Sequence, residues 1–159
     1  LRRAATLRPW VVTNGVPACG AIYNPISEEL YTARRGSGAR RNGHPIHASN
    51  RTGLEGCAML GDRTQLTLPP WPPMHVQNRN SVAWRLMLVA DGSADASVSL
   101  TAKRDWDLAA ADIILSEAGE LLTDAGGETL RYNRASTLQP SLAAANPALH
   151  AEIVALLRH

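Results

Sequence analysis

The sequence predicts an α/β domain in which layers of helix and strand alternate. Segments with a helical spacing of apolar residues are interspersed with short strand-like runs, and turn residues separate them. The chain has 159 residues, of which 45% are hydrophobic, so it is long enough to bury a core. We therefore expect a single domain over residues 1–159.

The first predicted elements are paired strands. Apolar runs at 17–23 and 29–33 flank an Asn-Pro pair at 24–25, which is typical of a hairpin. Glycine-rich turns then predict a second hairpin-like segment that ends at Ile46. The Gly-Ser-Gly turn at 36–38 could cradle a phosphate, but it lacks the Lys-Ser/Thr of a P-loop, so a plain turn is favoured.

The middle of the chain predicts an extended connection, a helix and a strand. Four prolines within residues 67–74 predict the extended connection. A helix over 81–90 follows, capped by Ser81 or Asn80, and residues 95–100 alternate as a strand does.

The last third of the chain predicts its clearest helix. The Asp-Trp-Asp triplet at 105–107 opens this helix, apolar residues recur at helical spacing, and Gly119 ends it. A hairpin is predicted around the Gly-Gly pair at 126–127. The final helix begins after Asn146, with a proline in its first turn.

The composition argues against several classes of function. The net charge of +2 is too small to indicate nucleic-acid binding, and the sequence contains no run of about 18 uncharged apolar residues as a membrane span requires. Two cysteines without metal or disulfide spacing favour a reducing, cytoplasmic location. The arginines near the glycine-rich turn are interpreted as a solvated rim because aromatic residues do not interleave with them: Arg34, Arg35, Arg40, Arg41 and Arg51.

Asp107 is the main candidate for chemistry. A carboxylate in the first turn of a helix stays ionised in the positive end of the helix dipole, and it is then a good ligand for a hard cation. Spacing alone favours the simpler interpretation, that Asp105 and Asp107 only cap the helix. The remaining acidic candidates are interpreted as solvated turn or helix-face charges: Asp62, Asp91, Asp95, Asp105 and Asp112.

The segment from Trp106 to Gly119 reads Trp-Asp-Leu-Ala-Ala-Ala-Asp-Ile-Ile-Leu-Ser-Glu-Ala-Gly and is similar to the carboxy-terminal signature of the inositol monophosphatase family. Residues 20–33, 41–46 and 80–95 resemble the same family, and the resemblance covers about 11–158. It implies a layered α-β-α-β-α sandwich, of which this chain resembles the carboxy-terminal portion. It also implies Mg²⁺-dependent hydrolysis of a phosphomonoester.

Carried over by position, the resemblance implies a set of site residues. Asp107 would complete a Mg²⁺ site, and Ser81 with Asn80, at a helix start, would lie near the substrate phosphate. No side chain is assigned a catalytic role, because in the family a metal-activated water attacks the phosphorus.

The chain also departs from the family pattern. The Asp-Pro-Ile/Leu-Asp-Gly-Thr motif and an upstream glutamate, which supply the other metal ligands, do not occur, and residues 1–10 are atypical. Glu120 replaces the second glycine of the signature, a change expected to affect only the local turn. We therefore expect an incomplete domain, inactive as the isolated chain, that forms a homo-oligomer or needs a missing amino-terminal segment.

The predicted partner is a small phosphorylated metabolite. Family members that act on inositol phosphate usually carry an acidic residue before the Trp-Asp pair, whereas this chain offers Lys103 and Arg104. Two cations favour a second phosphate, as in a 3′(2′),5′-bisphosphate nucleotide, with inositol monophosphate as the second choice. Two alternatives remain open: both side chains only solvate a loop, or the chain is a noncatalytic anion- or nucleotide-binding remnant of the fold.

Overall fold

The computed structural model describes residues 9–158. Most of the atypical segment 1–10 therefore lies outside the described residues. Two five-stranded sheets, a two-stranded ribbon and four helices make up the described part of the chain. The strands are β1 (Trp10–Thr13), β2 (Val16–Asn24), β3 (Glu29–Arg34), β4 (Ala39–Arg41), β5 (His44–Pro45), β6 (Ala58–Leu60), β7 (His75–Gln77), β8 (Ala96–Ser99), β9 (Lys103–Arg104), β10 (Leu121–Thr123), β11 (Leu138–Gln139) and β12 (Leu142–Ala145). The helices are α1 (Arg63–Leu66), α2 (Val82–Ala90), α3 (Asp105–Glu117) and α4 (Pro147–Leu157).

The first sheet is antiparallel and follows the chain in the order β1-β2-β3-β4-β5. The β2-β3 hairpin turns at the predicted Asn-Pro pair, where Asn24 Oδ1 accepts a hydrogen bond from the Ile26 amide at 3.0 Å. The β4-β5 hairpin turns at Asn42 and Gly43, both with positive φ. Both predicted hairpins are therefore confirmed.

The second sheet is mixed, in the order β10-β12-β8-β6-β7. The predicted hairpin around residues 126–127 is not formed as a pair of strands, because β10 pairs with β12. Only its turn is present, with an isolated antiparallel Thr123–Thr129 bridge and a hydrogen bond from the Asp124 amide to Glu128 O at 3.0 Å. The proline-rich segment 67–74 is not the extended connection predicted either, since it forms a series of turns. Short strands and proline turns in this region leave little periodic signal in the sequence.

Helices α2 and α4 begin where their capping residues predict, and α3 begins at Asp105 as predicted but without a side-chain cap. Ser81 Oγ accepts from the Trp84 amide at 3.3 Å, and Asn146 Oδ1 accepts from the Leu149 amide at 3.0 Å. Gly119, with φ of +93°, follows the end of α3 as expected. In the part of the chain that the structure describes, no helix is both long and apolar enough to cross a membrane.

The elements stack in the order sheet, helices, sheet, helix. One core cluster joins the inner face of the first sheet to α2, α3 and one face of the second sheet, and another fills the space between the opposite face and α4. Gly20 of β2 allows α3 to approach closely, because a Cβ there would lie 2.9 Å from Ala110 Cα. These are four consecutive layers of an α-β-α-β-α sandwich.

The outer face of the first sheet is not covered by any described element. Val11 and Leu30 lie on this face and are 54% and 41% exposed. The residues that alternate with them, such as Ile22 and Tyr31, are fully buried against the helices. That the domain is incomplete stays a prediction.

Candidate active site

The start of α3 is fixed by Asp105, which is buried at 3% exposure. Its Oδ1 accepts from Gln139 Nε2 at 2.8 Å, and its Oδ2 accepts from the Asn133 amide at 3.1 Å. The Asp105 amide in turn donates to Thr137 O at 2.9 Å. The interpretation of Asp105 as a solvated charge is therefore wrong, because long-range partners bury it.

Asp107 lies in the same first turn of α3 and is partly buried, beside the half-exposed Trp106. Burial and repulsion by Arg85 lower the pKa of Lys103, and the charge of Asp107 offsets part of this lowering. The anchor at Asp105 thus fixes the helical turn that carries the partly buried Asp107 near Lys103.

Lys103 is held on the strand that leads into α3. Its Nζ donates to Thr101 Oγ1 at 2.6 Å and to Thr101 O at 3.1 Å. Partial burial lowers the Lys103 pKa, repulsion by Arg85 lowers it further, and Asp107 opposes both effects. Three charges from two helices and a strand therefore interact at one place.

Arg85 is the residue that sequence reasoning missed. It lies one helical turn after the capping residue Ser81, it is only 8% exposed, and its Nε has no hydrogen-bond partner. Burial lowers its pKa, yet a guanidinium stays charged. A cation in the apolar stretch of α2 was the available signal, because a buried unpaired charge is costly unless an anion compensates it.

The other predicted substrate residues occupy separate surroundings. Ser81 caps α2 with its side chain, and Asn80 before it is exposed. The Arg104 guanidinium lies 5.5 Å from the centre of the Trp106 ring and donates to Thr137 Oγ1 at 3.4 Å. Lys103 is thus held by Thr101, whereas Arg104 contacts Trp106 and Thr137.

The described residues do not form a complete magnesium site. No group of three or more His, Cys, Asp or Glu side chains gathers in the part of the chain that the structure describes, and Mg²⁺ requires about six oxygen ligands in octahedral geometry. The remaining aspartates have structural partners. Asp91 accepts from Tyr31 Oη and Arg41, Asp112 from Tyr132 Oη, Asp95 from the Ala58 amide and Asp62 from Thr64.

These partners correct the interpretation of two further aspartates as solvated. The Asp91 side chain is 2% exposed. Burial raises the pKa of Asp112 to about 6, although the hydrogen bond from Tyr132 opposes this shift. Asp62 agrees with its prediction as a turn residue, since it caps the short helix α1.

The glycine-rich turn at 36–38 already holds an anion of the protein itself. The amides of Gly36 and Gly38 donate to the two carboxylate oxygens of Glu117, at 2.9 and 2.8 Å. The plain-turn interpretation is favoured by this geometry, because an internal carboxylate uses the amides that a phosphate would need.

Comparisons with known proteins agree with this architecture. The sequence model of the inositol monophosphatase family matches residues 11–159. An inositol monophosphatase of Mesembryanthemum crystallinum is 31% identical over 126 residues, which are 71% of this chain and 47% of that protein. The 3′(2′),5′-bisphosphate nucleotidase CysQ of Aggregatibacter actinomycetemcomitans is 28% identical over 78% of this chain and 50% of that protein.

Solved structures give the same result. An inositol monophosphatase from Anabaena (Nostoc) superposes with a TM-score of 0.81 at 26% identity, covering 96% of this chain and 63% of that one. The 2′AMP-bound SaIMPase-II superposes with a TM-score of 0.81 at 25% identity, covering 97% and 62%.

The chain thus spans about half the length of the curated relatives it matches. The match includes the helix that carries Asp107, the cap at Ser81 and both sheets, and proteins of this kind are generally metal-dependent phosphatases. On the strength of the sequence match over residues 11–159 and the shared fold, the chain belongs to the inositol monophosphatase family.

Proposed function

We propose that this chain provides the phosphate-binding part of a phosphomonoester hydrolase whose substrate is a 3′(2′),5′-bisphosphate nucleotide, with inositol monophosphate as the second choice. One observation supports the bisphosphate: Arg85 is only 8% exposed, and its positive charge also lowers the pKa of Lys103. Arg85 is buried with an unpaired Nε, so an anion at this position would relieve an unfavourable charge arrangement. One phosphate of the bisphosphate would bind to Arg85 and Lys103, and the other phosphate, whose ester bond is cleaved, would lie toward Asp107.

Hydrolysis of such an ester adds water across the P–O bond and releases an alcohol and phosphate. The chain's own residues would bind and orient the substrate: Lys103 and Arg85 by charge, and the start of α2 at Ser81 by its backbone amides.

Asp107 is proposed as one ligand of Mg²⁺. Since no group of three or more metal-ligating side chains forms in the described residues, we propose that the 159-residue chain alone is inactive. The free cysteines are compatible with the proposed cytoplasmic location.

A binding experiment tests the substrate proposal without requiring activity. We expect Lys103→Ala to weaken binding of adenosine 3′,5′-bisphosphate to the 159-residue chain by about tenfold or more, because a charge-assisted hydrogen bond contributes roughly 1.5–3 kcal/mol. Binding of AMP and inositol 1-phosphate should weaken less, and titration calorimetry measures all three.

Arg104→Ala is the matched control, because this neighbouring cation is directed toward Trp106. It should change each affinity less than threefold. Equal losses for the bisphosphate and the monophosphates in Lys103→Ala would contradict the choice of substrate. Phosphate release by a longer form of the protein, with both substrates side by side, tests the hydrolase itself.

The alternative function is a noncatalytic anion- or nucleotide-binding protein. The absence of a gathered carboxylate cluster in residues 9–158 favours this alternative. Binding would then be equal with and without Mg²⁺ and sensitive to Arg40→Ala and Arg41→Ala. Arg41 already forms an ion pair with Asp91 at 2.9 Å, so Arg41→Ala would also lower the free energy of unfolding.

A further inference from the structure

Glu120 is a buried acid that neither the fold nor the proposed function uses. It follows Gly119 at the end of α3, directly before β10, and it is 3% exposed. Among residues 9–158, neither of its carboxyl oxygens has a hydrogen-bond partner. An ionised carboxylate without partners is strongly disfavoured away from water, so this side chain is more stable as the neutral acid.

The groups around Glu120 reinforce this preference. Pairing of β10, β12 and β8 places Glu120, Asn146 and Asp95 at the same end of the second sheet. Asp95 is a negative charge there, and it accepts from the Ala58 amide at 2.8 Å. Together with the negative end of the α3 dipole, it opposes ionisation of Glu120.

The other titratable groups near this end of the sheet do not supply a compensating cation to Glu120. Arg51 donates to the carbonyl oxygens of Gly53 and Glu55. The Cys57 thiol is fully buried, with its pKa raised to about 11 by burial and by Asp95. His47 is exposed, and Glu117 is bound to the glycine amides described above.

The crossover between the two sheets, defined here as residues 47–51, is attached at the same end of the second sheet as Glu120. The Ala48 amide donates to Ala118 O at 2.9 Å. Asn146 Nδ2 donates to the carbonyl oxygens of Ser49 and Arg51 at 3.0 and 2.7 Å. Ser49 Oγ is also buried without a partner. The crossover is therefore fastened to the ends of α3 and α4 around a polar space that holds no charge-compensating group.

We propose that Glu120 is a proton-linked latch that keeps the crossover 47–51 packed while it is neutral and lets the crossover open when it ionises. A carboxylate formed at this position has Asp95 as a repulsive neighbour and can reach water only if residues 47–51 move. Opening would break the Ala48–Ala118 hydrogen bond first, since Ala118 lies two residues from Glu120.

The direction of the pH effect follows from the pKa. Burial, with repulsion by Asp95, raises the pKa of Glu120 from 4.5 to about 8 in the folded protein. The stability gained from keeping it neutral is fully present below pH 4.5, falls as the pH rises, and is lost once the pH exceeds about 8. One proton is released on unfolding within this window, so this residue raises the unfolding constant by up to about tenfold per pH unit.

The test compares the wild-type chain with Glu120→Gln, which keeps the shape but cannot ionise. Denaturant unfolding is measured between pH 5.5 and 9. The unfolding constant of the wild type should rise with pH by up to tenfold per pH unit more than that of Glu120→Gln. Hydrogen exchange at the Ala48 amide, corrected for the intrinsic exchange rate, should accelerate with pH only in the wild type. Glu128→Gln is the matched control: it is an exposed glutamate and should behave as the wild type. Glu120→Gly is a second variant in case the glutamine fails to fold.

Two results would overturn the latch. The first is a set of parallel pH profiles for the wild type and both Glu120 variants. The second is a wild-type melting temperature at pH 9 that rises with potassium relative to choline at equal ionic strength, because a bound cation would then neutralise Glu120 instead of a proton.

Discussion

At the scale of single residues, two aspartates in the same helical turn have different roles. Asp105 is buried with two hydrogen bonds from distant residues, whereas Asp107 is partly buried beside Lys103. The sequence places both in the first turn of α3 but cannot distinguish them. The partner Gln139 lies 34 residues away, and burial by such a distant segment leaves no local pattern.

We expect Asp105→Ala to lower the free energy of unfolding by about 2–3 kcal/mol, because hydrogen bonds to a buried charged group contribute roughly 1.5–3 kcal/mol. Asp107→Ala serves as the comparison and should cost at most about 1 kcal/mol, the scale of a first-turn dipole interaction. Urea titrations of both variants measure the difference. Equal losses would show that the contacts of Asp105 do not hold the helix start.

Arg85 and Glu120 show why the burial of some charged residues cannot be predicted from the sequence. Each is a charged residue within an apolar stretch of the sequence, and each is buried in the fold, at 8% and 3% exposure. Resemblance identified Glu120 as a departure at a glycine position, but it could not show that the replacement is buried. Whether such a residue is buried depends on which distant segments pack against it, and the local sequence does not contain this information.

At the scale of elements, the predictions that succeeded depend on local chemistry. The caps Ser81 and Asn146 fix helix starts by bonds to amides three residues later, so sequence alone places them. Strand β12 was missed because its Leu-Ala-Ala-Ala run has no alternation, being buried on both faces. Strand β10 was given the wrong partner because its true neighbour begins about 20 residues later, beyond the reach of a turn signal.

The contact between β2 and α3 depends on Gly20. We expect Gly20→Ala to destabilise the fold by about 1–3 kcal/mol, because the new Cβ would lie 2.9 Å from Ala110 Cα and 3.0 Å from Ile113 Cγ2. Gly53→Ala is the matched control, since its Cβ would meet no atom within 4 Å. Thermal unfolding of both variants provides the measurement, and an unchanged Gly20→Ala midpoint would contradict the close packing.

At the scale of the whole molecule, the layers leave one apolar sheet face open. Val11 and Leu30 on this face are exposed, and the chain covers only about 60% of the solved structures it resembles. A sheet face of this kind favours self-association or the binding of a further segment. This is consistent with the expected homo-oligomer or missing segment, which remains a prediction.

We expect the wild-type chain to associate at micromolar concentration and Leu30→Lys to increase the monomer fraction, because a charge on the sheet face opposes burial. Ile26→Lys is the control: Ile26 is 70% exposed but lies in the β2-β3 turn, off the face. Sedimentation velocity distinguishes the species. A dilute, cooperatively unfolding monomer unaffected by either substitution would count against association through this face.

Helix α3 is pinned at both of its ends, by Asp105 to the segment 133–139 and by Glu117 to the turn 36–38. Its 13 residues give a rod of about 20 Å at 1.5 Å per residue. Asp107 lies two residues from the anchor at Asp105, whereas Glu117 lies at the opposite end of the helix. We therefore expect a displacement of the turn 36–38 to move the Asp107 carboxylate less than it moves Glu117, so that an insertion near residue 37 should leave Asp107 in place.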